Sequence, residues 1–423
     1  MKKILLVFSL VLAAQNFILS QNINGRLTSS VYSFERFSVP GVSNNYLRAY
    51  ELLSLNVNRD NYSLRTYLNF ETDITKDLKP DPRLRVYNFF LEARDVLDVL
   101  TFRLGRQAMI HSVVGGLFDG VNITVSKGDF KFNTYYGGNV PAYQKFEMTD
   151  DWEHDFILGG KLTTTALKDF RISLGYVNKN FKPQEYNAVR LDEDLNPITV
   201  LIRNKSNQYQ FASAEVSYEM KNLFSIDTRY DYDMNYKKTS KVELYGNYDQ
   251  IKNVRLNVYY NYREPKVRYN SIFSVFDYGN TQEIEAGGYF TFNKNFTVTG
   301  KYGYIKYKEE NSQRATIGLS TNYWNISYRK GMGYAGELDA VSAYTAYTFL
   351  NGVLTPSVGL SFTSYKLSKD AEKNNIMTLL SGCNVRPFRT LSFDLQGQFM
   401  NNKIYKNDYR FLFKLNYWFN TNL

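Results

Sequence analysis

Between residues 252 and 264 the side chains divide by parity. Val254, Leu256, Val258, Tyr260 and Tyr262 share one face, and Arg255, Asn257, Tyr259, Asn261 and Arg263 share the other. A period of two places alternate side chains on opposite faces of a β-strand. One face of this strand therefore suits hydrocarbon and the other suits water. The pattern recurs to the end of the chain. Phe224, Ile226, Thr228, Tyr230 and Tyr232 oppose Ser225, Asp227, Arg229 and Asp231, and Leu391, Phe393, Leu395 and Phe399 oppose Ser392, Asp394, Gln396 and Gln398. In the last strand Tyr409, Phe411, Phe413, Leu415, Tyr417 and Phe419 oppose Arg410, Lys414 and Asn416. A soluble sandwich would bury the aromatic face on a second sheet, but it has no need of so uniformly polar a second face over so many strands. A closed sheet in a bilayer explains both faces, because lipid meets only alternate residues and the rest line a wet lumen.

Hydropathy and composition agree with this reading. The mean hydropathy of -0.41 and the short apolar runs exclude a helical membrane protein. The 36 Tyr and 30 Phe beside 9 Pro favour strands and supply aromatic girdles. The fold expected is all-β: a transmembrane antiparallel up-and-down barrel of about 22 strands. Weak segments at 311–332 and in the first strand leave counts of 18 or 20 open.

The connections give a second test. Short turns fall near 58–61, 95–98, 127–129, 220–222, 250–253, 293–295 and 350–352, and longer links fall at 72–83, 108–117, 138–153, 180–206 and 264–280. Short periplasmic turns alternating with longer extracellular loops are the habit of outer-membrane barrels, and the phase places both termini on the periplasmic side. Strands of about ten to fourteen residues, the first beginning near Arg26, use nearly the whole chain. This leaves no room for a plug domain and favours one domain over residues 21–423. Glu51 breaks the pattern. With Leu47, Ala49, Leu53, Leu55 and Val57 facing lipid, it would face lipid too, unless a bulge or a shifted membrane position intervenes.

At the amino terminus, Lys2 and Lys3 precede an apolar run from Ile4 to Ala14, the form of a cleaved secretory signal in residues 1–20, with the cut after Ser20 or Ala14. No cysteine lies near either site, so an amino-terminal lipid is not expected, and Cys383, the single cysteine, has no internal partner for a disulfide. The net charge of +10 falls to +8 once Lys2 and Lys3 are removed. Basic residues are dispersed among acidic ones, so nucleic-acid binding is not expected.

A barrel this wide encloses either a water path or something that fills it. The filler expected is the apolar link 108–117, with His111, Gly115 and Gly116, folded into the lumen or packed on the rim. Lumen candidates are Arg94, Arg103, Arg255, Arg263, Glu92, Asp227, Arg229, Asp231, Glu243, Glu283 and Glu285. Charges along a pore set ion preference through their local field. Both signs occur here, so a weak lean toward anions follows from the net charge, set against the plainer reading that any wet lumen is polar. Asp150, Asp151, Glu153, His154 and Asp155 cluster on an outer link. They could bind a divalent cation or act as an acid and base, though a solvated acidic loop bridging lipopolysaccharide through cations is the commoner case. No Walker, zincin, paired-cysteine or serine-hydrolase motif occurs, and an enzyme is not expected.

The segment 97–138 contains a strand ending Gly105-Arg106-Gln107 and another opening Phe118-Asp119-Gly120. It resembles the alginate-export family of outer-membrane barrels and related porins over about a tenth of the chain. The resemblance implies that Arg106 and Gln107 stand near the mouth or constriction and that Asp119 ties the loop to the wall. Simple alternation puts Arg106 on the lipid side, so the resemblance also implies a bulge or strand end there. Polyanion exporters would show a strongly basic passage, whereas the lumen read here mixes acids and bases.

The function expected is a porin-like passive channel for small hydrophilic solutes, without cofactor or metal, in contact with outer-membrane lipid and lipopolysaccharide and open to homo-oligomerisation. The rival is a structural or secretion-linked barrel that binds a partner protein or polysaccharide through its outer loops.

Overall fold

The computed structural model describes residues 21–422 apart from 40–41, 76–81, 110–111, 141–146, 183–184, 204–207, 270–274, 277, 294, 334–335, 367, 369 and 404–405. The signal segment 1–20 and His111 lie outside the described residues.

Nine strands run up and down from the amino terminus: β1 (Asn22–Val39), β2 (Val42–Arg59), β3 (Tyr62–Asp73), β4 (Arg83–Val96), β5 (Leu100–Ala108), β6 (Leu117–Lys127), β7 (Phe130–Asn139), β8 (Phe156–Thr164) and β9 (Phe170–Lys179). A separate hairpin, β10 (Glu185–Leu191) and β11 (Pro197–Arg203), interrupts the series. The wall resumes with β12 (Tyr209–Met220), β13 (Phe224–Asp233), β14 (Lys238–Tyr248), β15 (Val254–Arg263), β16 (Thr281–Phe292), β17 (Phe296–Tyr307) and β18 (Glu310–Ser320). It ends with β19 (Trp324–Gly333), β20 (Gly336–Ala346), β21 (Leu354–Lys366), β22 (Asn374–Phe388), β23 (Leu391–Asn402) and β24 (Asp408–Asn422).

The sheet has 22 strands, each antiparallel to its neighbours, with β12 taking the place beside β9. It closes where β1 pairs with β24 from Asn22 opposite Asn422 to Ser33 opposite Phe411. Closure removes the two sheet edges that would otherwise present unpaired backbone groups to lipid. Side chains stitch the seam as well. Asn22 donates to Asn420 and Asn422 at 2.8 and 2.7 Å, Asn24 donates to Asn22, and Asn56 donates to Asn24. At a strand spacing near 4.8 Å and a tilt near 40°, such a barrel is roughly 40 Å across.

Alternation sorts the wall as the sequence implies. On β24, Tyr409, Phe411, Phe413 and Tyr417 are exposed outward, while Asp408 and Asn416, at the alternate positions, are buried on the inner side. The tight turns carry Asp60, Asn222, Asn253 and Asn293 at positive φ, a backbone state that Asn and Asp tolerate better than other residues with a Cβ.

Several expectations need correction. The first strand starts at Asn22, before Arg26, and the wall strands run from 9 to 18 residues, a wider spread than ten to fourteen. A short turn also joins β8 to β9, where Phe170 N donates to Leu167 O. The rim with long links is not uniformly long, since β13 meets β14 across 234–237 and β17 meets β18 across 308–309. Local turn chemistry at Lys237 and Lys308, both at positive φ, closes these two without a loop. The link 180–206 is partly ordered as the β10–β11 hairpin. Finally, pairing through Glu51 is unbroken on both sides, so no bulge turns it inward.

Candidate functional site

The described residues of the link between β5 and β6, 109 and 112–116, lie in the lumen. Val113 joins a cluster with Phe118, Tyr135, Ile157, Val177 and Phe211, with Met109, Val114 and Tyr209 packed against it. The wall members of this cluster are inward residues of β6, β7, β8, β9 and β12, as their register shows: Ile157 lies across from Gly137, and Val177 from Phe211. An apolar loop gains by leaving water for this patch, at about 25 cal/mol per Å² buried. Two ammonium groups hold its carbonyls. Lys179 Nζ donates to Gly115 O at 3.1 Å, and Lys266 Nζ, from the link after β15, donates to Val113 O at 2.5 Å. Gly116 sits at φ +143°, and a Cβ there would stand 2.7 Å from Lys179 Nζ, so glycine is required. Gly115 meets no such crowding.

Beneath the loop lies a cavity of about 630 Å³. Met109, Val113, Phe118 and Tyr135 form its apolar side; its charged lining is Arg103, Lys131, Lys161, Arg171 and Glu215. Four cations line it with one carboxylate, and because Arg103 also pairs with Glu92 at 2.6 Å and Lys161 with Glu215, two positive charges, those of Lys131 and Arg171, have no carboxylate partner among the described residues. Glu215 is itself shared by Lys161 at 2.5 Å and Arg229 at 3.5 Å.

Elsewhere on the inner wall, most charges are paired. Glu92 is buried between Arg103 at 2.6 Å, Arg94 at 3.5 Å and Arg65 at 3.9 Å. Arg229 holds Asp231 at 2.9 Å, and Lys241 holds Glu243 at 2.6 Å. Arg314 bridges Glu283 and Glu285, and Lys301 reaches Glu285 at 3.3 Å. Arg255 pairs with Asp249 at 2.6 Å near the short-turn rim, Asp227 is exposed on the inner face, and Arg263 stands across from Lys241. The structure thus spreads the sequence candidates around the barrel and gathers only Arg103 into the cavity. Lys131, Lys161, Arg171, Glu215 and the two loop-holding lysines were not singled out from sequence, although each wall residue among them sits at an inward alternate position.

Arg106 and Asp119 need correction as lumen residues. Register is continuous on both sides of Arg106, which lies opposite Phe89 and Asp119, so it points to the outer face without any bulge. Its guanidinium clasps Asp119 at 2.8 and 2.7 Å and donates to Glu147 O at 2.7 Å. Both side chains are buried although they lie on the outside, because residues 147–155 lie back over the wall as a strap. Trp152 packs edge-on to Tyr136, and Tyr136 Oη donates to Trp152 O at 3.1 Å. A Cβ on Gly138 would come 2.3 Å from Thr149 Cγ2, so glycine lets the strap lie flat. Gln107, at the alternate position, faces inward across from Phe118 and is buried, its Nε2 donating to Gly120 O at 3.3 Å. Asp119 does tie a connection to the wall, but it is the strap outside and not the loop within.

The acidic cluster belongs to this strap. His154 Nδ1 stands 2.9 Å from Asp151 Oδ1, and the hydrogen bond holds the Asp151 carboxyl below the usual carboxylate range. Asp150 pairs with Lys182 at 3.1 Å, and Asp155 accepts from Asn139 at 2.8 Å. Among the described residues, no group of three or more His, Cys, Asp or Glu is placed to hold a metal ion.

No protein-family model matches this chain, and no curated protein matches it. Among solved structures it is similar to OccAB4 of Acinetobacter baumannii at a TM-score of 0.46 and 9% identity, covering 96% of this chain and 100% of that one. It is also similar to OpdK of Pseudomonas aeruginosa with vanillate (0.43, 10% identity, covering 94% and 99%) and to OccK2 of the same organism with glucuronate (0.41, 8% identity, covering 94% and 98%). None of these likenesses bears on the solute.

Proposed function

We propose that this chain is a passive outer-membrane channel for small hydrophilic solutes with a lean toward anions. The observation that carries the reading is the cavity under the inward loop, with its surplus of positive charge on the β5–β9 wall. Most acids and bases elsewhere on the inner wall are matched to each other, whereas Lys131 and Arg171 lie under the loop without a carboxylate partner among the described residues. A small anion loses part of its hydration there and regains it from Arg103, Lys131, Lys161 and Arg171, while the neighbouring Ser, Thr and Asn side chains supply neutral hydrogen bonds. The apolar loop face narrows the passage without binding charge. A long polyanion of the alginate type, which the sequence resemblance would suggest, fits less well, because the β12–β18 wall carries Glu243, Glu283 and Glu285.

The test is single-channel recording in planar bilayers under a salt gradient. Discrete open steps with a reversal potential on the anion side are expected. Folded protein that gives no steps would remove the channel reading. A second reading, a barrel that binds a partner, is favoured by the β10–β11 hairpin, a sheet of its own whose Tyr186, Val189, Leu191 and Leu195 are exposed. Loss of partner capture on deleting 185–203, in a barrel that does not conduct, would establish it.

A further inference from the structure

One carboxyl stands on the wrong side of this wall. Glu51 is exposed on the outer face of β2, with Leu47 and Ala49 outward above it and Leu53, Leu55 and Val57 outward below. Counting from the turn at Asp60, at about 2.5 Å of height per tilted residue, it stands roughly 20 Å above the short-turn rim. The apolar band of such a barrel is about 25 Å tall, so Glu51 lies within it. Its own chain satisfies it only in part. Ser29 Oγ donates to Oε2 at 2.6 Å, and Oε1 has no hydrogen-bond donor among the described residues.

The surroundings differ from the rest of the wall. Across β1, the outward positions near Glu51 are Ser29, Val31 and Ser33, whereas β24 beside them presents Phe411, Phe413 and Leu415 at the paired positions. The same two strands are the longest in the amino-terminal half, at 18 residues each. Register pairing of β24 with β1 ends at Ser33 and that of β3 with β2 begins at Arg48, with Ile74 and Thr75 bonded to Leu47, so the upper part of the β1–β2 hairpin rises above the paired part of its neighbours. A polar group facing hydrocarbon and a hairpin that rises above its neighbours thus continue one another vertically on one side of the barrel.

We propose that this face of β1 and β2 is the contact between two copies of the chain in the membrane. The inference rests on the barrel standing in a bilayer, not on its conducting. Lipid chains cannot donate to Glu51, and an ionisable group at this depth is retained where protein covers it. A second copy is the occupant that fits, because a twofold axis along the membrane normal brings each Glu51 to its own equivalent. One carboxyl, protonated, then donates its O–H to the carboxylate of the other, while each Ser29 keeps its bond to its own chain. The small side chains at Ser29, Ser33 and Ala49 let the walls approach. A patch about 25 Å tall and four strands wide gives roughly 1,000 Å² over both partners, the lower limit for a specific interface.

The test uses the full chain, carrying Cys383→Ser, in lipid vesicles. Ala49→Cys is compared with Leu360→Cys, an outward position on β21, by treatment with a short bis-maleimide. Dimer is expected from Ala49→Cys and not from Leu360→Cys. Adding Glu51→Leu to Ala49→Cys, a change that removes a charge from lipid and leaves the fold intact, is expected to lower the dimer about tenfold. Equal cross-linking at the two cysteines, or dimer unchanged by Glu51→Leu, overturns the proposal. So does a native mass spectrum showing monomer with lipopolysaccharide retained through Glu51. Protein that does not enter vesicles would defeat the membrane reading itself, whereas incorporated monomer defeats only the dimer.

Discussion

Replacing Arg106 by Ala tests whether a buried ion pair holds the strap to the outer wall. In the native protein both partners are almost wholly buried, at 5% exposure each, and the guanidinium makes two contacts to Asp119 and one to Glu147 O. Removing the cation leaves the buried Asp119 carboxylate, across from the Gly138 that Thr149 and Trp152 cover, with its charge unmatched, which costs about 3–5 kcal/mol. A barrel of 22 strands does not unfold for this amount. The strap can lift instead, and lifting rehydrates Asp119. The open state should therefore become about a hundred to several thousand times more populated. Hydrogen exchange of the backbone amides of 147–155 reads this directly, with limited proteolysis of vesicle-embedded protein as a second measure. The double variant Arg106→Met with Asp119→Leu removes both charges and should recover most of the protection. If Arg106→Ala exchanges like the native protein, or the double variant is as loose as the single one, charge burial is not what seats the strap.

Four further outcomes follow from the same geometry. Lys266→Met removes a charged hydrogen bond to the loop carbonyl of Val113, worth about 1.5–3 kcal/mol, and should add flicker and larger open steps to single-channel records. Replacing Arg103, Lys131, Lys161 and Arg171 together by Gln should move the reversal potential toward cations, and an unchanged potential would show that the cavity does not select. Gly116→Val puts a side chain onto Lys179 Nζ at a φ that L residues avoid; it should release Val113 from its cluster, seen as faster exchange in 109–116. Asn22→Ala with Asn24→Ala removes side-chain bonds across the closing seam and should lower the temperature at which the folded barrel loses its compact mobility in SDS gels.

What the sequence revealed follows from what a period of two can encode. Alternation at 252–264 and along 409–419 assigns each side chain to a face, and the tight turns follow from Asn and Asp at positive φ; the barrel and its strand number were therefore legible. Alternation also placed Arg106 outside, against the inference from family resemblance, and the register agrees with alternation. What a connection does after leaving its strand was not legible. The fate of 109–116 depends on Phe211 and Lys266, more than ninety residues away, and a periodic pattern says nothing of such meetings. The same limit hid the cavity, since Lys131, Lys161 and Arg171 look like ordinary inward polar residues until the loop closes over them.

The loop and the strap then share one mechanical root. Phe118 and Asp119 are consecutive on β6, so one points inward and the other outward. Phe118 anchors the lumen loop through Val113, and Asp119 anchors the outer strap through Arg106, whose own strand launches that loop. Displacing the strap should therefore tilt the row of β5 and β6 on which the loop is seated. Conductance of Arg106→Ala, recorded beside its hydrogen exchange, separates the cases. A change in open-step size along with strap release shows that the wall transmits the disturbance, and strap release with native conductance shows that Phe118 and its cluster hold the loop unaided.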